Sequence, residues 1–178
     1  MGQSQRDKGW YALSHPPPIF TFGHGKQVAA PFGAIMEALD ERNVDRIIDV
    51  RARPSSSYNP PFTKNKLEAV LGPRYEWRGD TLGNAAHFNL PAIPAELYDA
   101  AISDLYRRSA HGERLAIFCS ETKWKTCHRY DPITLDLLAI GARVVHLQPV
   151  AGDWRNGVTE EENETKGIAR NAPLHRRG

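Results

Sequence analysis

Short apolar runs punctuate this chain, and between them the apolar positions fall at helical spacing. Ile19-Phe20-Thr21-Phe22 is closed by Gly23-His24-Gly25, and Asp45 to Arg51 holds Ile47, Ile48 and Val50 before a break at Pro54. Arg114 to Phe118 and Val144-Val145-His146-Leu147 are two further runs, and Tyr75-Glu76-Trp77 is a brief one. Runs this short, rich in β-branched and aromatic residues, read as buried strands. Ile35, Met36, Ala38 and Leu39 after Pro31 fit an amphipathic helix, as do Leu97 to Arg108 after Pro94. Thr63 can cap a short helix to Leu71, and another is expected from Cys127 to Ile140, closed by Gly141. Ser55 to Pro61 must be loop, and Gly79 to Pro94 has no period.

Strands alternating with helices predict an α/β fold: a three-layer, mostly parallel sheet flanked by helices, with right-handed crossovers. The expected organisation is one domain over residues 19–152. An extended arm over 1–18 precedes it, ending in Pro16-Pro17-Pro18, and a polar, poorly ordered tail over 153–178 follows. No internal repeat is visible.

The chain's 178 residues suffice for one core, and its 40% hydrophobic and 25% charged fractions are ordinary. A net charge of +2 is too small to argue for nucleic acid by itself. Apolar runs fall short of the roughly 18–20 residues a membrane span needs. Met1 to Arg6 lacks a signal-peptide core, and Arg6 stands where a myristoylation pattern wants Ser or Thr, so a cytoplasmic protein is expected. Two cysteines make no disulfide framework, and they are too far apart for a thioredoxin-type pair. No second Cys-x-x-Cys or His-x-x-x-His unit accompanies them, so no metal is expected. Neither Gly-rich nucleotide fingerprint is present, so no cofactor is expected.

The candidate chemistry lies where the strands end. The first ends at His24, the second at Asp49, Arg51 and Arg53, and the third at Cys119, Ser120 and Glu121, followed by Cys127, His128 and Arg129. A parallel sheet brings these ends to one edge, where α/β proteins bind ligands. Cys127 and His128 are placed in the first turn of the next helix, where anions and thiolates are favoured. Arginines beside such a turn suit phosphate or carboxylate. Each residue also has a plainer reading. His24 can be a turn residue, Asp49 can orient an arginine, Cys119 can be core, Glu121 can pair with Arg129, and Arg53 can be solvated. The phosphatase pattern Cys-x₅-Arg fails, because Lys125 and Ile133 stand where arginine is required. Sulfur transfer of the rhodanese type lacks a matching cradle.

Thr21-Phe22-Gly23-His24, Asp49-Val50-Arg51, Pro54, Ser56, Pro60, Phe62, Leu71, Tyr75 and Leu82-Gly83 resemble the family called domain of unknown function 488. The later block Phe118-Cys119-Ser120-Glu121, Cys127-His128-Arg129, Gly141 and Val145-His146-Leu147 is similar to that family's second signature. Ser120, Lys123-Trp124-Lys125 and Asn84 depart from the usual family residues. The resemblance implies an α/β fold and a shared site, with no activity attached.

The reading that follows is a hydrolase or transferase on a phosphorylated or nucleotide-like small molecule. Arg51, Arg53, Cys119, Ser120 and Arg129 would bind the anion, and His24, Glu121, Cys127 and His128 would be catalytic. One alternative is a nucleic-acid or polyanion binding module using Lys123, Trp124, Lys125 and the basic tail. A second is a thiol redox or metal-sensing protein using Cys119, Cys127, His24 and His128. No membrane partner is expected, and oligomeric state is left open.

Overall fold

The computed structural model describes residues 13–25 and 32–163. The expected arm and tail therefore fall largely outside the described residues. Five parallel strands, β1 (Ile19–Gly23), β2 (Arg46–Asp49), β3 (Tyr75–Trp77), β4 (Leu115–Cys119) and β5 (Val144–Pro149), are joined by an antiparallel edge strand, β6 (Val158–Glu162). The order across the sheet is β3-β2-β4-β1-β5-β6. Helices α1 (Phe32–Glu41), α2 (Lys64–Leu71), α3 (Gly79–Leu82), α4 (Ala95–Ala110) and α5 (Leu135–Ala139) supply the crossovers. The α/β class and the flanking helices stand as expected.

Strand alternation sorts the core into two faces. Leu115, Ile117 and Cys119 of β4 pack with Ile102 and Leu105 of α4 and Leu137 of α5. Ala116 and Phe118, pointing the other way, pack with Ile35 and Leu39 of α1 and Leu67 of α2. Both faces of β4 are thus buried, which is why its sequence is continuously apolar. Each buried Leu, Ile or Phe among them contributes about 1.5–3 kcal/mol by leaving water. Crossovers stepping toward β3 lay α1 and α2 on one face, and those stepping toward β6 lay α4 and α5 on the other. β1 connects toward β2 and β4 connects toward β5, so the order reverses between the adjacent strands β1 and β4. A crevice outside the carboxyl ends of those two strands is where such sheets take ligands.

Two elements differ from the sequence reading. The stretch expected to begin a disordered tail enters the sheet: Trp154 is buried edge-on to Phe22, and β6 pairs with β5. Glu160 and Glu162 of β6 meet Arg42 at 2.7 Å and Arg143 at 2.9 Å, so charge that argues for disorder in isolation is matched by facing arginines. The helix expected to start at Cys127 is also interrupted. Asp131 is extended (φ −114°, ψ 105°) ahead of Pro132, as a residue preceding proline prefers, and regular helix begins only at Leu135. Cys127 and His128 therefore lie in a loop, without the helix N-terminus that the spacing implied. Among the described residues no helix is long and apolar enough to cross a membrane.

Candidate functional site

Beneath the carboxyl edge lies a buried polar network. Asp49 is wholly buried and receives Arg51 Nε on one oxygen at 2.8 Å and Arg51 Nη2 on the other at 2.6 Å. Tyr75 donates its hydroxyl to the same carboxylate at 2.7 Å, and the Arg51 backbone N–H adds a fourth bond. Burial, with Asp49 beside it, raises the Tyr75 phenol above its usual range. Arg51 Nη2 also donates to the Phe62 carbonyl at 2.6 Å, while Nη1 stands 3.3 Å from His24 Nε2. His24 donates from Nδ1 to the Gly25 carbonyl at 2.8 Å and stacks on Phe62. Burial first, then the neighbouring Arg51 charge, pushes its pKa down to about 4. His24 is therefore a neutral ring with both nitrogens engaged, and Arg51 is occupied by Asp49.

The sulfur chemistry sits beside this network. Cys119 ends β4, and Cys127 and His128 return to it from the loop. The two Sγ atoms and one imidazole nitrogen lie within 4.8 Å of one another. His128 Nε2 donates to the Val50 carbonyl at 2.9 Å, which turns Nδ1 toward the thiols, 3.8 Å from each sulfur. Cys119 is held well below the ordinary thiol range, because it accepts from the Cys127 thiol and from His128 and the Glu121 N–H. The same bond, together with burial, raises Cys127. Burial would lower His128, but the adjacent Cys119 outweighs it and the imidazole is raised. Without a helix start at Cys127, the lowered thiol is Cys119, reversing the order that the sequence suggested.

Arg129 is fully buried behind this cluster. It donates to the carbonyls of Glu121 and Thr122 and, at 3.7 Å, to Cys127 Sγ, while its Nε has no partner. Desolvation lowers its pKa, and the neighbouring sulfurs work against that. The loop can press so close only because β1 ends in Gly23, where a Cβ would overlap the Glu121 carbonyl and crowd the Arg129 guanidinium.

A cavity of about 460 Å³ opens over the sulfurs, lined by Arg51, Arg53, Ser55, Asn84, His87, Phe88, Cys119, Ser120, Glu121, Cys127 and His128. Arg53 is exposed, with its guanidinium 5.1 Å over the Phe88 ring. The wall carrying Asp49, Arg51, Arg53 and Phe88 comes from one continuous part of the chain. Residues 32–90 match the family model for domain of unknown function DUF488. The resemblance read from the motifs is thereby shown over this segment. Neither curated proteins nor solved structures yield a match to the chain.

The DUF488 segment supplies the arginine wall, and β4 with its following loop supplies the thiols. Arg51, Arg53, Cys119, Ser120, Glu121, Cys127 and His128 share the cavity, whereas His24 lines a neighbouring one of about 500 Å³ on the other side of the Ser120–Glu121 loop. Arg129 lies behind the cluster and lines neither cavity. Trp124 is buried, stacked on His146 at 3.9 Å between ring centroids, and Lys125 pairs with Glu161. Sequence reasoning missed Ser55, Asn84, His87 and Phe88, which lie in stretches without periodicity. It could not foresee the Val50 carbonyl, a backbone atom with no signal in residue type. Gly79 and Gly83 in the DUF488 segment are a readable signal, because a Cβ at Gly79 would strike the Arg51 carbonyl and one at Gly83 would crowd Ala52.

Proposed function

We propose that this protein is an enzyme, a hydrolase or transferase, acting on a small phosphorylated or nucleotide-like anion. Its reacting centre is the Cys119, Cys127 and His128 cluster, and Arg53 receives the anionic group. The observation that carries the reading is the convergence of two sulfurs and an oriented imidazole on the floor of a cavity at the carboxyl edge of the sheet, beyond the ends of β2 and β4. Arg53 supplies the anion contact because Arg51 is held by Asp49 and the Phe62 carbonyl, and Arg129 lies behind the cluster and lines neither cavity. Two thiols left unpaired suit a reducing, cytoplasmic setting.

Alkylation by iodoacetamide, followed residue by residue by mass spectrometry, tests the proposal. Inorganic phosphate or a mononucleotide bound in the cavity should slow modification of Cys119 at least tenfold and raise Tm. Arg53→Ala should abolish that protection. Hydrolysis of a generic phosphoester panel should be lost in Cys119→Ser. Equal alkylation rates across a full panel of phosphates and mononucleotides would overturn the reading.

A further inference from the structure

We infer that Cys119, Cys127 and His128 form a binding site for one soft divalent metal ion, zinc by preference, with a fourth position open to the cavity. Zinc bonds sulfur at about 2.3 Å and imidazole at about 2.0–2.1 Å, so tetrahedral angles put the S···N edges near about 3.6 Å and the S···S edge near about 3.8 Å. Both S···Nδ1 separations here are 3.8 Å, and all three donor atoms lie within 4.8 Å of one another. The near-equality matters. A thiol–imidazole hydrogen bond singles out one sulfur, whereas a metal site needs both at the same distance. His128 is also oriented as metal-bound histidines are. Its remote nitrogen donates to a backbone carbonyl, that of Val50 at 2.9 Å, which keeps the proton on Nε2 and aims Nδ1 inward, where it ligates once any proton it shares with Cys119 is released.

Charge and access agree with this. On binding, the cluster releases two protons to solvent, one from the Cys127 thiol and one from the hydrogen-bonded Cys119–His128 pair, and a divalent ion with two thiolates is neutral. The complex therefore adds no net charge beside the buried Arg129, whose Nη1 already donates toward Cys127 Sγ at 3.7 Å. Two sulfurs and one imidazole leave a coordination position for water or a ligand oxygen, the arrangement of catalytic rather than structural zinc. The sequence reading disfavoured metal, keeping it only in the alternative of a metal-sensing protein, because it sought paired ligands at short spacing. Here β4 and a loop bring the ligands together from across the sheet edge. The site stands independently of the proposed function, and only a catalytic role for the open position rests on that reading.

The experiment is titration of the reduced full-length protein with Co²⁺ and Zn²⁺. One Co²⁺ per chain should give an intense thiolate-to-cobalt charge-transfer band and tetrahedral d–d bands, both displaced by Zn²⁺. Zn²⁺ should block thiol titration of both cysteines. The band should vanish in Cys119→Ser, and His128→Ala should weaken affinity about a hundredfold. Because these buried positions could affect folding, the wild-type spectrum and thiol protection stand as a second criterion. Absence of a thiolate–cobalt band with both cysteines reduced, or a band unchanged in Cys119→Ser or Cys127→Ser, would overturn the inference. Repeating phosphate protection on chelator-treated protein separates this result from the proposed function, since cavity binding persists there even if no metal binds.

Discussion

Removing the Arg51 guanidinium strips the charge partner from a carboxylate that has no contact with water. In Arg51→Met, Asp49 keeps the Tyr75 hydroxyl on one oxygen and the residue 51 backbone N–H on the other, and loses both guanidinium bonds. Breaking a buried ion pair from one side typically costs about 3–5 kcal/mol, because the remaining charge stays desolvated. Asp49→Asn reverses the loss, leaving Arg51 with the Phe62 carbonyl and the neutral His24 ring. For a domain of this size each kcal/mol moves Tm by about 2–4 °C, so either change should lower it by about 6–20 °C. The double variant removes both charges, and its loss should fall short of the sum of the two singles by about 2 kcal/mol or more. Urea unfolding followed by fluorescence of the four tryptophans measures all three. Losses below about 1 kcal/mol for the singles, or strict additivity in the double, would refute the view that Arg51 is held by Asp49 rather than kept for a ligand.

Three further outcomes follow from the same geometry. His24 and His146 have pKa values lowered to about 4 and about 3, chiefly by burial, so the unfolded chain takes up two protons that the native state refuses. Stability should therefore fall as pH drops from about 6.5 to about 4, with a slope approaching about 2.7 kcal/mol per pH unit. Urea midpoints at a series of pH values check this, and a flat profile would count against neutral native histidines. Gly23→Ala should cost about 1–3 kcal/mol, since the Glu121 carbonyl must move, and should change the alkylation rate of Cys119; unfolding curves and mass spectrometry report both. Arg53→Ala should leave the unfolding free energy within about 0.5 kcal/mol of wild type while removing phosphate protection, because that side chain is exposed.

Much of the fold could be read from the sequence because both faces of the central strands are buried. Leu115–Phe118 is continuously apolar for that reason, and Ile19–Phe22 and Ile47–Val50 are broken only by Thr21 and Asp49, so the runs announce themselves. β6 could not be read the same way. Its residues, Val-Thr-Glu-Glu-Glu, have the composition of a solvated segment, and Arg42, Lys125 and Arg143 from across the fold balance them. The interruption at Asp131 had a visible cause in Pro132, yet the leucines after it argued for one unbroken helix.

The candidate site divides along a similar line. Residue type located the strand-end groups, since Arg51, Cys119, Glu121 and His128 all reach the same cavity. What residue type could not supply is which of them is free to act. Arginine's donors are satisfied equally well by a ligand or by the protein, and the choice turns on neighbours that sequence does not order in space. Asp49 stands two residues before Arg51 on the same strand end, close enough to claim it bidentately. Arg129 is claimed by carbonyls of a loop that only the absence of a side chain at Gly23 lets come near. Arg53, the arginine whose sequence context pointed most to solvent, is the one left at the cavity's rim, over Phe88. Two arginines therefore hold the strand end and the loop that carries the cysteines, and the exposed one stands at the cavity's rim. That division is why Arg51→Met should be read out in stability and Arg53→Ala in binding.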